Sequence, residues 1–513
     1  MPLPDTDRPW PPTPANVANK ISEWAAWWAG DAEELSRTYG GFTLNVLPRP
    51  GQREGIVSKA VRWFWGAPTA EGQQRTKLHV PVASDISTAS ADLLFGEQLD
   101  YTGDEAVPEE STSRLDTILD GNSFHSLLLE GAEACSGLGG VYLRTTWDET
   151  VADHPLSTIV HGDAGYPEFR WGRLSAVTFS QVVRRENNRV WRWLERHEPG
   201  VILHGLYVGT EDKLGRVIPL EDSPVTAPLA TQVDARGGIA TGHPRLTAAY
   251  VPNMRPNPLW RSDPQTAMLG RSDYARVEPL FDAVDETMTS WMRDVRLAKG
   301  RIIVPTSMLE PGRLGGARTF NLDQEVFAGL NMMLADEAPV AQQLTVQQFA
   351  IRAAEHEQTM SNLLQAAYRS AGYSAATFGV ADEGGAMTAT EVSAREKRSH
   401  GTREKKTRYW SDALREHLAA LVAVDREVFG GPEVWQPRVE FPASAQPTQS
   451  ELASSLQMLN AAQAVSTFTR VKMLHPDWTD EQVSAEVTLI LDETAPAPAL
   501  DPFGDADVPP ELQ

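Results

Sequence analysis

The chain has one cysteine, Cys135, in 513 residues, so no disulfide framework is available within it, as is usual in a reducing cytoplasm. No stretch reaches the ~18 consecutive apolar residues of a membrane-spanning helix. The first residues, MPLPDTDRPWPPTP, lack a charged start followed by an apolar run, so no secretory signal peptide is predicted. We therefore expect a protein that is soluble and intracellular when made.

Motifs of catalysis are also missing. No Gly-Lys dipeptide occurs, which excludes a phosphate-binding P-loop and with it a packaging ATPase. The glycine run 137–140 precedes a strand, the wrong order for a dinucleotide site. Glu355, His356 and Glu357 point apart on a helix, and Cys135 lies among small residues, which is typical of an inert thiol. We predict no enzyme, no metal site and no cofactor; a nucleic-acid-processing site formed only on folding is the alternative.

Positive charge is scarce: 46 basic against 69 acidic residues give a net charge of −23. A protein that grips nucleic acid by neutralising phosphates needs clustered Lys and Arg instead. Solubility explains the acidity, and so does a surface past which DNA slides without adhering. One basic cluster does occur, and its residues are predicted to contact an acidic neighbouring subunit, with a solvated helix face and phosphate contact as alternatives: Arg395, Lys397, Lys405, Lys406 and Arg408.

Apolar spacing predicts an α+β fold that is mainly helical. The first helix is predicted over 15–38, with Gly40 and Gly41 as its stop. It carries Trp24, Trp27 and Trp28, and few lysines accompany them, so a packed helix is favoured over a membrane-surface helix. A second helix is predicted over 84–94. Short β-rich runs between 141 and 260 predict an antiparallel meander, with a loop over 221–247.

Helices return in the second half of the sequence. Apolar stripes predict helices over 279–299 and 346–371, with a small α/β unit over 301–344 between them. A Gly-rich segment follows, and a capping box at Thr388–Glu391 predicts a long helix to Phe429 that Gly401 is able to bend. The final pair is predicted over 449–470 and 480–492, with Thr479 and Gln482 as a capping box for the second helix. The ends, 1–14 and 493–513, are rich in proline and predicted to be disordered.

Four segments in this order resemble the portal proteins of tailed bacteriophages, in particular those of siphophages of Gram-positive hosts. They are DISTASADLLFGE (85–97), GLGGVYLRTTWD (137–148), GRSDYARVEPLFDAVDETMTSWMRDVRLAKGRIIVP (270–305) and SAGYSAATFGVADEGGAMTATEVSAREKRS (370–399). The closing VKMLHPDWTDEQVSAEV (471–487) is similar to the same branch. The resemblance covers roughly residues 15 to 492.

The resemblance implies a portal fold that is divided into named regions. These are a wing over 15–278 with the β-rich insert 141–260, stem helices over 279–299 and 346–371, a clip over 301–344, a tunnel loop over 374–387, a long wing helix with its connection over 388–447, and crown helices over 448–492. The Trp-rich first helix and the acidic tail match no motif of the family.

Site residues follow from the same resemblance. The tunnel loop would face DNA with Gly379, Asp382, Glu383, Gly384, Gly385 and Met387. The clip would dock the packaging motor and then the adaptor through Arg313, Arg318, Asp323 and Glu325. Glycines let such a loop bend near the ring axis, and its acids would discourage DNA adhesion at close approach.

The function implied is a passive conduit: a dodecameric ring at one capsid vertex through which double-stranded DNA is packaged and ejected without sequence specificity. The implied partners are further copies of the chain, the large terminase, the head–tail adaptor, and the major capsid and scaffolding proteins, with no membrane. The implied location is the portal vertex of the virion, after assembly in the host cytoplasm. Another head or neck protein, a minor capsid protein or an adaptor, is the alternative.

Overall fold

The computed structural model describes residues 3–4, 8–43, 64–65, 77–103, 107–298, 301–303, 345–347, 351–380, 389–442, 456–462, 464–475 and 478–494. The chain divides into two compact units, Met1–Pro442 and Ala443–Gln513. Within the described residues, no helix is both long and apolar enough to cross a membrane.

The first unit combines helices with antiparallel sheets. Its helices are α1 Ala15–Ala29, α2 Ala32–Thr43, α3 Val82–Phe95, α4 Glu109–Gly121, α5 Phe124–Leu138, α6 Glu278–Leu297, α7 Ala353–Ala371 and α8 Ala389–Val424. Its strands are β1 Asp100–Thr102, β2 Gly140–Thr146, β3 Leu156–His161, β4 Gly165–Arg170, β5 Arg173–Glu186, β6 Arg189–Glu198, β7 Val201–Thr210, β8 Lys213–Ile218, β9 Gly238–Ala240, β10 Ala248–Pro252, β11 Arg301–Ile303, β12 Thr345–Gln347 and β13 Arg438–Glu440. The predicted α+β class is confirmed.

The β-rich insert is an antiparallel meander, as predicted. Strands β4 to β8 pair in sequence order, and β9 pairs with β7. A separate three-stranded sheet has the order β10-β2-β3. The predicted loop 221–247 contains two short 3-10 helices, Leu220–Asp222 and Ala227–Thr231, in addition to β9.

Two hydrophobic clusters hold the helices of this unit together. The first packs α1, α3, α6 and α7 around the fully buried Trp24 and Trp27. The second packs α3, α4, α5 and α8 against β2 and β10, with Trp410 of α8 at its centre. The Trp-rich first helix is therefore a packed helix, as the sequence predicts.

The predicted disorder of residues 1–14 is wrong for part of that range. The Trp10 N–H donates to the Asp212 carbonyl at 2.9 Å, and the buried Trp10 ring packs with Leu194, Tyr207 and Leu214.

Three predicted boundaries are wrong. The helix expected over 15–38 is two helices, because Gly30 adopts a left-handed φ of 65° and ends α1. The helix expected from 346 begins at Ala353, since Thr345–Gln347 pairs as β12 with β11. In the second unit the helix expected over 449–470 is interrupted, because Ser466 caps a new helix, α9 Thr467–Leu474, by accepting a bond from the Thr469 N–H.

The last helix of the second unit begins at the capping box that the sequence predicts. Helix α10 spans Asp480–Thr494. Thr479 and Gln482 form the predicted capping box: the Thr479 N–H donates to Gln482 Oε1 at 2.9 Å, and the Gln482 N–H donates to Thr479 Oγ1 at 3.4 Å.

The long helix α8 continues through Gly401 without a break. Its 36 residues span about 54 Å. A Cβ atom added at Gly401 would meet nothing within 4 Å. Gly401→Ala is therefore expected to raise the free energy of unfolding by about 1 kcal/mol, the helix-propensity difference, as measured by urea unfolding.

Gly379→Ala is the matched control for that prediction. It also has open space around the added Cβ, but its φ of 70° strains an L-residue. This variant should lose about 1 kcal/mol. If Gly401→Ala instead lowers the free energy of unfolding, the glycine is required for a second conformation of α8.

Candidate functional site

The segment that follows α7 is fastened to one face of α8. The Thr402 hydroxyl donates to the Gly372 carbonyl at 2.6 Å, and the Ser374 N–H donates to Ser399 Oγ at 2.9 Å. Ser399 and Thr402 are three residues apart and so share a helix face. Gly372 itself has a φ of 104°, which lets the chain turn sharply out of α7. The stretch entering the predicted tunnel loop therefore starts from a fixed base.

Lys406, four residues further along that face, lies at the centre of a buried polar cluster. Its Nζ bonds to Asp273 Oδ2 at 2.5 Å, Ser90 Oγ at 2.6 Å and Tyr373 Oη at 2.9 Å. The side chain is only 2% exposed. Since α3, the segment before α6, the segment after α7 and α8 each supply one group, this Lys406 cluster (Ser90, Asp273, Tyr373 and Lys406) joins four parts of the unit.

Asp273 has its remaining lone pairs satisfied as well. It accepts from Ser136 Oγ at 2.7 Å, from Asn253 Nδ2 at 2.8 Å and from Tyr373 Oη at 2.8 Å. Burial, and then the charge of Asp273, raise the pKa of Tyr373 far above its ordinary value, so its hydroxyl remains a donor. A buried ion pair with every polar atom bonded is stable only as a set, because either charge alone would be unsolvated.

The predicted inter-subunit residues do not all lie on the surface. Lys397, Lys405 and Arg408 are exposed, so the prediction stands for them, while Arg395 has its side chain outside the described residues. The interpretation of Lys406 is wrong, since it binds within its own chain. Neighbouring Arg403, three residues before it, is also buried and donates to the Leu93 and Pro442 carbonyls.

The other predicted site residues lie mostly beyond the described part of the chain. Gly379 is described and has the positive φ expected of a loop glycine. The remaining tunnel-loop residues and all four clip residues lie outside the described residues. They are Asp382, Glu383, Gly384, Gly385, Met387, Arg313, Arg318, Asp323 and Glu325. Thr388, the first residue of the predicted capping box, also lies outside them. Their roles stay predictions.

Helix α6 uses two buried carboxylates to hold a distant part of the chain. Asp282 Oδ2 accepts from the Phe64 N–H at 2.8 Å. Asp285 accepts from the Val80 N–H at 2.7 Å and from Trp65 Nε1 at 3.0 Å, and it lies 2.8 Å from His79 Nδ1. The burial of both acids depends on residues some 200 positions away in the sequence.

The raised pKa of Asp282 predicts that the free energy of unfolding depends on pH. Burial raises its pKa to about 6, the N–H bonds from Phe64 and Trp65 oppose this, and Asp285 and Glu286 add to it. A carboxyl pKa raised by folding stabilises the protein fully below the unfolded value of about 4 and ceases to do so as pH rises through about 6. Relative to Asp282→Asn, the wild type should therefore lose about 1 kcal/mol of unfolding free energy between pH 5 and 7.

The measurement is urea unfolding of both chains across that pH range. Glu416→Gln is the control and should follow the wild type, because Glu416 is exposed on α8 and is not one of the groups that act on Asp282. Parallel pH profiles for Asp282→Asn and the wild type would contradict the assignment.

Helices α6 and α7 form an antiparallel pair whose far end is exposed. Near the end of α6, Asp294 Oδ2 accepts from Arg352 Nη2 at 2.9 Å and lies 3.0 Å from His356 Nε2 at the start of α7. The His356 ring stacks on Trp291. Next to this polar contact Met292, Val295 and Ile351 are all more than a third exposed, so the pair presents apolar side chains to its surroundings. Strands β11 and β12 pair just beyond it.

A hydroxyl–imidazole–carboxylate series in the sheets has the connectivity of a catalytic triad. His197 lies 2.7 Å from Thr247 Oγ1 and 2.7 Å from Glu195 Oε1. Burial would raise the pKa of Glu195, but Arg144, 3.0 Å away, and His197 lower it to about 2. All three members of the series are buried, so no substrate reaches the hydroxyl. The series joins β6 to the segment before β10.

Neither Cys135 nor any acidic cluster offers chemistry in the described part of the chain. Burial raises the pKa of the Cys135 thiol to about 12, so it stays protonated and inert. The run 137–140 lies where α5 ends and β2 begins, the helix-to-strand order that a dinucleotide site does not use. Among the described residues no group of His, Cys, Asp and Glu is arranged to hold a metal ion.

Residues 258–497 match the family model described as phage portal protein, SPP1 Gp6-like. No curated protein matches the chain. Similar solved structures include the neck of an empty GTA particle computed with C6 symmetry (12% identity, TM-score 0.44) and the neck of a native GTA particle computed with C12 symmetry (12%, 0.42), each covering 77% of this chain and 90% of that one. A third is the virion of a native gene transfer agent particle (11%, 0.40), covering 91% of this chain and 95% of that one.

Proposed function

We propose, because residues 258–497 match the family model of the phage portal proteins, SPP1 Gp6-like, that the chain is a portal protein and forms a dodecameric ring around a DNA channel. The ring stands at one capsid vertex of the virion and is assembled in the host cytoplasm. Double-stranded DNA enters and leaves through it, without sequence readout and without covalent chemistry.

The observation that carries the proposal is the extent of the family match. It begins shortly before α6 and ends just after α10, so it includes the antiparallel helix pair, the segment between its helices, the Gly-rich stretch and α8. In this assignment α6 and α7 are the stem helices, 301–344 is the clip, 374–387 the tunnel loop, 388–447 the long wing helix and its connection, and 448–492 the crown. Residues 15–278 form the wing with its β-rich insert.

The exposed end of the helix pair supports assembly. Met292 and Val295 lie on α6 and Ile351 lies just before α7, and no described element covers these side chains there. In a closed ring each subunit presents one face to a different face of the next, and the sides of the stem helices would be buried that way. Apolar side chains alternating with the Asp294–Arg352 ion pair suit such a contact.

The partners follow from the regions. The clip would dock the large terminase during packaging and the head–tail adaptor afterwards, through Arg313, Arg318, Asp323 and Glu325. The wing and crown would meet the major capsid and scaffolding proteins. Exposed Lys397, Lys405 and Arg408 would meet acidic groups of the next subunit, a contact that sets register more than it adds affinity.

Negative-stain electron microscopy of the purified chain, with mass by light scattering, tests the proposal. We expect twelve-fold rings with a central hole, or rings of a neighbouring number, and a mass many times the 56.3 kDa of one chain. A chain that stays monomeric across salt and concentration, with and without capsid and scaffolding proteins, would falsify the ring.

The tunnel loop has its own test, designed on the base described above. Phe378 stacks on Tyr368 and Val380 packs in the first hydrophobic cluster, so a deletion confined to 381–387 spares these contacts. The deleted protein is expected to form normal rings but to package or retain less DNA, because the loop that meets DNA is gone. DNA content per particle is the readout, and normal packaging by deleted rings would contradict the loop assignment.

A further inference from the structure

The hairpin formed by β4 and β5 ends in a fully exposed tryptophan. Trp171 is 97% exposed, and Arg170, Gly172 and Arg173 beside it are exposed as well. The two turn residues, Trp171 and Gly172, have φ values of 52° and 78°. A two-residue turn with both φ positive suits a hairpin, but Asn, Asp or Gly normally fills its first position.

A tryptophan is an unfavourable residue for that position. A bulky side chain at positive φ is strained, by about 1 kcal/mol or more. Trp171 makes no ring contact among the described residues that offsets this strain. Strain and exposure in one residue indicate a role outside the monomer, and tryptophan flanked by arginine is the composition of binding hot spots.

The same β-rich insert contains a cavity of suitable size and chemistry. It has a volume of about 220 Å³ and opens between β2, β6, β7 and the 3-10 helix Ala227–Thr231. An apolar cavity of about 150 Å³ already holds benzene, so this one is large enough for an indole ring. Its apolar lining is Leu156, Ile202, Val225, Leu229 and Ile239, together with the rings of Trp147 and Trp193. The rest of the wall is polar and includes His204 and the Arg144–Glu195 ion pair.

The rim of the cavity is complementary to the hairpin tip in charge. Asp148 lines the cavity and is exposed, and Glu149 follows it on the surface. Exposed Gln232 offers an amide oxygen to an indole N–H at the mouth. Arg170 and Arg173 on either side of Trp171 would meet these carboxylates. The cavity is not filled by its own chain's Trp171, because that side chain is almost completely exposed.

We propose that Trp171 of one copy inserts into this cavity of the next copy around the ring. The inference rests on the proposed ring and assigns one of its contacts. Tip and cavity are different surfaces of the chain, so the contact is head-to-tail and is repeated from subunit to subunit until the ring closes. Arg170 and Arg173 fix the register of the tip, and the apolar ring supplies the affinity.

Disulfide cross-linking tests the contact directly and leaves Trp171 in place. In Arg173→Cys/Gln232→Cys the two thiols would lie in neighbouring copies, and mild oxidation should give a ladder of covalent oligomers up to the full ring. Each single variant should give none, since a head-to-tail contact pairs unlike positions. Native Cys135 is buried and does not interfere. Oxidised chains that remain monomeric, or stop at dimers, overturn the proposal.

Assembly measurements provide the second arm. Trp171→Ala is expected to raise at least tenfold the subunit concentration at which half of the chain is in rings, with Trp171→Phe in between and Leu229→Arg in the cavity equivalent to Trp171→Ala. If the wild type forms rings and both variants assemble as readily, the proposed contact is wrong and the proposed portal function is unaffected. If those rings fail only to enter capsids, the tip binds a shell protein instead. A wild type that never forms rings overturns both proposals.

Discussion

Lys406→Met is expected to lower the free energy of unfolding by about 3–5 kcal/mol, because it leaves Asp273 charged, buried and without its cation. Methionine fills much of the volume of the lysine stem, so the loss measures electrostatics more than packing. Urea unfolding followed by circular dichroism gives the value. Hydrogen exchange of residues 372–378 should rise as well, since Tyr373 loses one of its partners.

Lys405→Met is the matched control. Lys405 is the adjacent residue of the same helix but is exposed, and its replacement should change stability by no more than about 0.5 kcal/mol. The double variant Lys406→Met/Asp273→Asn should recover much of the loss, because the uncompensated charge is gone. If the two lysine variants are equally stable, Lys406 is not the buried member of the pair.

Trp24→Ala is expected to cost about 3–5 kcal/mol, the range for removing a large aromatic side chain from a core. Trp24 is 0% exposed, packs against Trp260, and donates from Nε1 to Glu278 Oε1 at 2.9 Å. The substitution therefore opens a cavity between α1 and the start of α6 and also removes a donor from a buried carboxylate. Thermal or urea unfolding measures the effect.

Two further tryptophan variants separate these contributions. Trp24→Phe keeps most of the packing and loses the bond to Glu278, so a loss of about 1–3 kcal/mol is expected. Trp171→Ala removes a side chain of the same size from the surface and should change the stability of the monomer by no more than about 0.5 kcal/mol. Comparable losses in Trp24→Ala and Trp171→Ala would contradict the assignment of α1 to the core.

Local signals in the sequence predicted local structure well. The stripe from Leu280 to Ala298 and the capping box at Thr479 and Gln482 depend only on neighbours within one or two turns, and the structure confirms both. The helix at α5 was missed, since its run of small and apolar residues has no clear period. The break at Gly30 was missed because Gly40 and Gly41 offered a later and apparently stronger stop.

The polar junctions could not be predicted from the sequence. Lys405 and Lys406 look alike in a basic run, and only the position of Asp273, 133 residues away, makes one a surface residue and the other a buried one. The same holds for Asp282 and Asp285, whose partners lie in a segment far upstream. The sequence does not show whether a charged side chain faces the core or the solvent, because that depends on how the helix packs. The exposed members of the basic cluster therefore remain the candidates for subunit contact.

The pairing of β11 with β12 bears on how such a protein can diversify. Because these strands lie side by side beyond the helix pair, residues 304–344 leave and rejoin the frame at two adjacent points. Doubling the length of a closed segment adds only about 0.6 kcal/mol of closure entropy, so insertions there change the free energy of unfolding little. A related protein can therefore gain or lose residues in this segment while α6 and α7, the helices that carry it, keep their spacing.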